Sequence, residues 1–300
     1  MADATVKLIL IGGAQRSGTT LLQTLVANAL NAPILPEAHI LYDVLASYRR
    51  AKAAPNKTRY FYRSDADLLA FFRASADRHV ADLAAISGGQ TMVLKDPNFV
   101  QVDAEAAAIF PAAVRIAALR DPRDIAASFL RIGQRERQDV EAGKYRRRDI
   151  HFIGKKIVGS YADLMAETAP AHLVRYEELV TTPRDTLASL ARETGLPLSL
   201  DRIDSPQWLE ADARHDAAWI SELEGREPTA ASVGAYTTVM RPREVALVEE
   251  ICGPYMAWAG YERSVPASLR GEWFSGRLAR DILGRMRRSY WSHRGRLSQL

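Results

Sequence analysis

The sequence predicts an α/β fold of three layers, a parallel β-sheet between two layers of helices. Three observations carry this. Short β-rich apolar runs alternate with helical patterns from residue 6 to residue 193. The first run, over residues 6–11, is almost wholly apolar, as a strand covered on both faces is. Turn or capping residues follow the runs directly, which puts the loops at the carboxyl ends of strands, where such sheets bind ligands.

Residues 6–11 are the first strand and pass straight into a glycine turn. Residues 18–30 read as a helix with Leu21, Leu22, Leu25, Val26 and Leu30 on its apolar side. A second helical pattern covers residues 65–86 and is stopped by Gly88 and Gly89. Residues 92–94 are a short strand ending in Lys95, Asp96 and Pro97. Residues 114–119 form the next strand, after which Asp121 is the N-cap and Pro122 the first helical residue. Residues 172–175 are a fourth strand, and residues 183–193 a helix stopped by Gly195 and Pro197. Residues 242–258 read as the last core helix, capped by Gly260. Residues 200–231 are the least regular part and read as an insertion or lid. The division expected is one domain over residues 1–262 and a helical tail over residues 263–300.

The 300 residues, 47% apolar and 25% charged, suit a globular chain with a full core. The single cysteine, Cys252, excludes an internal disulfide and fits a reducing compartment, so a cytoplasmic location is expected. The opening apolar run is too short for a secretory leader, and no stretch reaches the length of a membrane span. A net charge of +4 suits anionic ligands without specifying one.

Gly13-Ala14-Gln15-Arg16-Ser17-Gly18-Thr19-Thr20 joins the first strand to the first helix in the frame G-x-x-x-x-G. Glycines let successive backbone N–H groups converge on one anion, and the helix N-terminus adds its positive dipole. The sheet is therefore of P-loop type. Thr19 stands where an ATP- or GTP-using loop carries lysine, which argues against a kinase or NTPase. Arg16 is the substitute cation. A second anion site follows the strand over residues 114–119: Arg120 ends that strand, and Ser128 lies two turns into the next helix. A guanidinium fork and a hydroxyl suit a phosphate monoester. Read singly, Arg120 could as well pair with Asp121 or Asp124.

The loop Gly13–Thr20, the segment over residues 119–129, and Tyr176-Glu177-Glu178-Leu179-Val180 followed by Pro183 resemble the sulfotransferases that use 3'-phosphoadenosine 5'-phosphosulfate (PAPS). Ile251-Cys252-Gly253-Pro254 and Gly260-Tyr261-Glu262 are similar too, so the resemblance spans residues 6–262. It implies that Gly13, Gln15, Arg16, Ser17, Gly18, Thr19 and Thr20 bind the 5'-phosphosulfate, that Arg120 and Ser128 bind the 3'-phosphate, and that Tyr176 belongs to the nucleotide site. A late glycine loop closes over the nucleotide in that family. Ser232-Val233-Gly234-Ala235-Tyr236 is similar to it and carries Gly234, but lacks its basic residues. The product implied is 3'-phosphoadenosine 5'-phosphate, and no metal is required.

Sulfuryl transfer needs positioning, a cation at the leaving oxygen and a base for the acceptor hydroxyl. Arg16 and the loop amides supply the cation and cradle. Glu37, in Pro36-Glu37-Ala38-His39, is similar in position to the base of the tyrosyl-protein and carbohydrate branch of the family. That branch also carries a Lys-Asp-Pro, matched by Lys95-Asp96-Pro97, which implies that Lys95 stabilises the leaving group. His39 is the rival base, since imidazole titrates near neutrality. Asp96 either orients Lys95 or caps the helix after Pro97. His151, His172 and His215 are scattered and make no metal site. Arg146-Arg147-Arg148 reads as a solvated loop.

The expected function is sulfuryl transfer from PAPS to a hydroxyl of a glycan, a protein tyrosine or a small alcohol or phenol; the alternative is an ATP-dependent small-molecule kinase. Acceptor walls are expected from loops over residues 41–65 and 200–231. Past Glu262, Leu269, Trp273, Phe274, Leu278, Ile282, Met286 and Tyr290 recur every four or so residues among many arginines, a basic amphipathic helix. Residues 269–296 are read three ways: packed on their own domain, attached to the inner face of an anionic membrane, or docked to a partner or second subunit as in a homodimer. Nucleic acid is not expected as a partner, because the basic residues are read as lacking interleaved exposed aromatics.

Overall fold

The computed structural model describes residues 6–135, 140–166, 171–204, 207 and 228–266. Four strands, β1 (Lys7–Gly13), β2 (Thr91–Lys95), β3 (Val114–Leu119) and β4 (His172–Arg175), form a parallel sheet in the order β2-β1-β3-β4. Ile11 pairs with Lys95 on one side of β1, and Gly13 with Ala118 on the other. The loop after β1 is thus flanked by the carboxyl ends of β2 and β3.

Strand alternation divides the core between the two faces. Ile9, Ile11, Val93, Ile116, Ala118 and Val174 pack with α1 (Thr19–Leu30) and α10 (Pro183–Thr194). On the opposite face Leu8, Leu10, Met92 and Leu94 meet α2 (His39–Lys52), α4 (Asp65–Ser87) and α5 (Asp103–Ile109). Beside them Ala117 and Leu119 meet α6 (Pro122–Arg135), α8 (Ile150–Tyr161), α12 (Pro242–Ile251) and α13 (Gly253–Ala259). Three layers result, as the apolar runs predict. Three short helices, α3 (Pro55–Thr58), α9 (Tyr176–Thr181) and α11 (Tyr236–Val239), and α7 (Val140–Arg146) are the remaining α-helices among the described residues.

Four sequence expectations are corrected. Residues 41–65 are mostly helical, in α2 and α3, because Leu41, Leu45 and Tyr48 recur at helical spacing and are buried against α4 and α5. The helix over residues 242–258 is two helices that break at Cys252, where Pro254 has no N–H to continue the ladder. Arg148 is not solvated: it binds Glu244 and the Val239 carbonyl. Lys57, Arg59, Tyr60, Phe61 and Arg63 do interleave exposed aromatics with cations. The tail over residues 269–296 and most of the expected lid over residues 200–231 lie outside the described residues.

Candidate active site

Gly13 and Gly18 bracket the loop for steric reasons. A Cβ on Gly13 would meet Ser17 Oγ at 2.5 Å and the Ala118 carbonyl at 2.7 Å. Gly18 has φ +93°, and a Cβ there would enter the Tyr176 ring at 2.3 Å. Tyr161, fully buried beneath the loop, accepts from the Ala14 amide at 2.9 Å and donates to Ala118 O at 2.7 Å. Burial pushes its hydroxyl up to about 12, so it stays protonated as a strut between loop and sheet. Thr19 is buried at the start of α1, and Ser17 is buried within the turn.

On the β2 side lies a cluster of charged side chains that holds the sequence-predicted base and cation. Lys95 ends β2, is buried, and reaches Glu37 Oε1 at 2.8 Å and Thr20 Oγ1 at 3.4 Å. Glu37 is placed by its own backbone neighbours. The Ala38 amide donates to Lys95 O at 2.8 Å, and Gln23 Nε2 of α1 donates to Leu35 O and Val93 O. Asp96 points the other way from Lys95. Its Oδ1 accepts from the Asn98 amide at 2.8 Å and its Oδ2 lies 3.3 Å from His39 Nδ1. It therefore caps the short helix after Pro97 and orients His39, and does not orient Lys95. Burial raises the Asp96 pKa, opposed by the Asn98 amide and reinforced by Glu37. His39 itself is 65% exposed.

On the β3 side lies an open groove lined by Arg16, Arg120, Ser128, Arg131, Arg135 and Tyr176 among others. Arg16, at φ +73°, turns its side chain away from Lys95, and its Nε donates to Ser128 Oγ at 3.0 Å. Arg120 is fixed from four sides. Its guanidinium donates to Arg16 O at 2.9 Å and Ser232 O at 3.0 Å, and stands 4.2 Å from the Tyr176 ring centroid. Its backbone amide and carbonyl bond the Tyr255 hydroxyl. Neither Asp121 nor Asp124 bonds it. Tyr176 in turn bonds Ser232 Oγ at 2.7 Å, so ring, loop and strand end form one wall.

Gly234, at φ +71°, spends its amide on Asp124 Oδ2, and the Tyr236 amide bonds Asp124 Oδ1. The glycine loop is thereby anchored at the groove. Burial raises the Asp124 pKa against these two amides and the nearby Arg120. Behind the groove, Asp121 pairs with buried Arg123, which also reaches Glu249 Oε1 at 2.8 Å. The Asp121 amide donates to Glu177, which also accepts from the Tyr261 hydroxyl.

The structure thus brings Gly13, Gln15, Arg16, Ser17, Gly18, Thr19, Thr20, Arg120, Ser128 and Tyr176 to one sheet edge, with Glu37 and Lys95 beside Thr20 and His39 next to them on the exposed side. Sequence reasoning missed Asp124, Ser232, Arg131 and Arg135. The last two were legible, since they stand three and seven residues beyond Ser128 on the same face of α6. Among the described residues no group of three or more His, Cys, Asp or Glu could hold a metal ion, and no helix is long and apolar enough to cross a membrane.

The profile of the Sulfotransferase family matches residues 9–200, from β1 through α10. Comparison with curated proteins finds no match. Among solved structures, the sulfotransferase domain from the curacin biosynthetic pathway is similar with a TM-score of 0.55 and 18% identity, covering 85% of this chain and 98% of that one. The sulfotransferase domain of the Synechococcus PCC 7002 olefin synthase follows at 0.43 and 15%, covering 92% and 94%. A sulfotransferase from Mycobacterium tuberculosis H37Rv stands at 0.41 and 16%, covering 84% and 76%. The first of these supports the fold, and the match over almost two-thirds of the sequence assigns the lineage: the chain belongs to the sulfotransferase family.

Proposed function

We propose that this sulfotransferase takes its sulfuryl group from PAPS and passes it to a hydroxyl acceptor, with Glu37 as base. The observation that carries this reading is the presence of two separate stations on either side of one glycine turn. One holds the Lys95–Glu37 pair beside Thr20, and the other holds Arg120 with Arg16 and Ser128. A nucleotide phosphorylated at both its 3' and 5' positions needs both stations, whereas ATP needs no second one.

The residues present fit such a donor. Arg120 Nε is buried with no hydrogen-bond partner among the described residues, although its two terminal nitrogens each donate to a carbonyl. A buried donor of this kind fits an anionic oxygen. Ser17 Oγ, inside the loop, is a second buried polar atom without a partner among the described residues, and its hydroxyl can donate to an anion there. The donor supplies an electrophilic sulfur on a phosphate leaving group. The α1 dipole and the loop amides from Gln15 to Thr20, other than that of Ser17, which donates to Ala14 O, hold the 5' end. Arg120, Ser128 and Arg16 hold the 3'-phosphate, and Tyr176 fixes the Arg120 fork. Glu37, half exposed, accepts the acceptor's hydroxyl proton on its carboxylate as the S–O bond to the acceptor forms and the S–O bond to phosphate breaks. Lys95 Nζ neutralises the charge that builds on the leaving oxygen.

His39 is the second reading for the base. Asp96 at 3.3 Å from Nδ1 would hold the proton there and leave Nε2 basic.

A thermal-shift titration tests the donor. Adenosine 3',5'-bisphosphate is expected to raise the melting temperature, with about 2.7 kcal/mol of stabilisation at a hundred times its Kd, and Mg-ATP to leave it unchanged. Stabilisation by Mg-ATP alone would return the chain to the kinase alternative. Incubating cell fractions with sulfur-labelled PAPS then reports whether the acceptor is a glycan, a protein tyrosine or a small alcohol or phenol.

A further inference from the structure

A second surface feature lies apart from the residues assigned above to sulfuryl transfer. From the end of α2 through α3 and the following turn, Arg50, Lys52, Lys57, Arg59 and Arg63 are five cations with no acidic residue between them. All five are exposed, and none makes an ion pair among the described residues. Between the last two cations sit Tyr60, 77% exposed, and Phe61, 82% exposed. Phe71 of α4, half exposed, stands behind them against Tyr62, with ring centroids 5.5 Å apart. Asp65 and Asp67 follow, but they occupy the first turn of α4, where Ser64 caps the helix and its dipole favours negative charge.

We propose that this aromatic tip docks the protein on an anionic lipid bilayer. Phe61 has no polar handle, and five of the seven residues from Lys57 to Arg63 are exposed, so the turn presents an apolar point ringed by positive charge. Aromatic rings of this kind favour the boundary between headgroups and acyl chains. Cations held at that surface each strengthen attachment to acidic lipid, by about five-fold per residue. Single-stranded RNA would also meet cations and aromatics, but it needs open ring faces along a groove. Here the Arg59 guanidinium covers Tyr60, 5.2 Å from its ring centroid, and bonds its hydroxyl, while Tyr62 and Phe71 pack on each other. α2, about 20 Å long, begins at His39 and leads at its other end into α3 and the tip. Docking there leaves the catalytic edge open to an acceptor.

The test is co-sedimentation of the full chain with phosphatidylcholine vesicles, with and without phosphatidylserine, at low and high salt. Binding is expected only with phosphatidylserine and is expected to weaken with salt. Tyr60→Ser with Phe61→Ser should weaken it about ten-fold or more, and Lys57→Glu with Arg59→Glu about 25-fold or more. Melting temperatures should not change, because all four side chains are exposed. Deleting residues 267–300, which hold many arginines, separates the tip from the tail. Loss of binding in the tip variants supports the proposal whatever the deletion does. Binding that both tip variants leave intact overturns it, as does absence of vesicle binding. Capture of polyuridine RNA by a chain that ignores vesicles would overturn it in favour of RNA.

Discussion

Lys95 Nζ lies 2.8 Å from Glu37 Oε1, and the two side chains differ sharply in exposure, 7% against 53%. The ammonium is held inside at the end of a strand, while the carboxylate faces outward. A buried cation and an accessible carboxylate are thus joined at one point beside the glycine turn.

Glu37→Gln keeps the shape and an oxygen for Lys95 but removes the basic site. Turnover should fall by about 10²- to 10⁴-fold, while the Kd for adenosine 3',5'-bisphosphate stays the same. Steady-state kinetics and calorimetry on the same variant check both halves. An unchanged kcat would move the role to His39, and His39→Asn would then carry the loss.

Arg120→Ala should weaken 3',5'-bisphosphate binding by about 1.5–3 kcal/mol and AMP binding far less. Arg120→Lys should restore little, because one ammonium cannot serve the Arg16 and Ser232 carbonyls and stack on Tyr176 together. Equal losses for the two nucleotides would remove the 3'-phosphate assignment.

Glu249 is fully buried and accepts from Arg123, from the Ser264 amide and hydroxyl and from the Val265 amide. These partners outweigh the burial that opposes its charge and hold its pKa down. Glu249→Ala leaves Arg123 with Asp121 and the Tyr236 ring, breaks the buried pair and should cost about 3–5 kcal/mol in a urea melt. Loss of less than about 1 kcal/mol would show that Asp121 suffices.

Asp96 is raised above its ordinary value of 3.8, with burial the largest cause. As pH climbs from that value through the raised one, the unfolded chain gives up this proton before the folded chain does, so the Asp96 contribution to stability falls with rising pH. Asp96→Asn keeps an oxygen for the Asn98 amide and removes the titration. The difference in melting temperature between variant and parent should therefore grow in the variant's favour across that window. A difference that stays flat with pH would show that Asp96 titrates alike in both states.

Much of this was legible in the chain itself. Apolar runs covered on both faces, each followed by turn or capping residues, determined a parallel three-layer sheet, because few other arrangements bury such strands. The G-x-x-x-x-G frame with Thr19 in place of lysine marked an anion turn, because the steric demand at Gly13 and Gly18 is local. Long-range placement was decided only by the tertiary structure. Whether Arg16 faces Lys95 or Ser128, whether Asp96 serves Lys95 or His39, and that Asp124 holds the Gly234 amide depend on residues 57 to 112 positions apart meeting at one sheet edge. Sequence spacing carries no information about such meetings, since they are set by strand register and by the direction in which each side chain leaves its strand or helix.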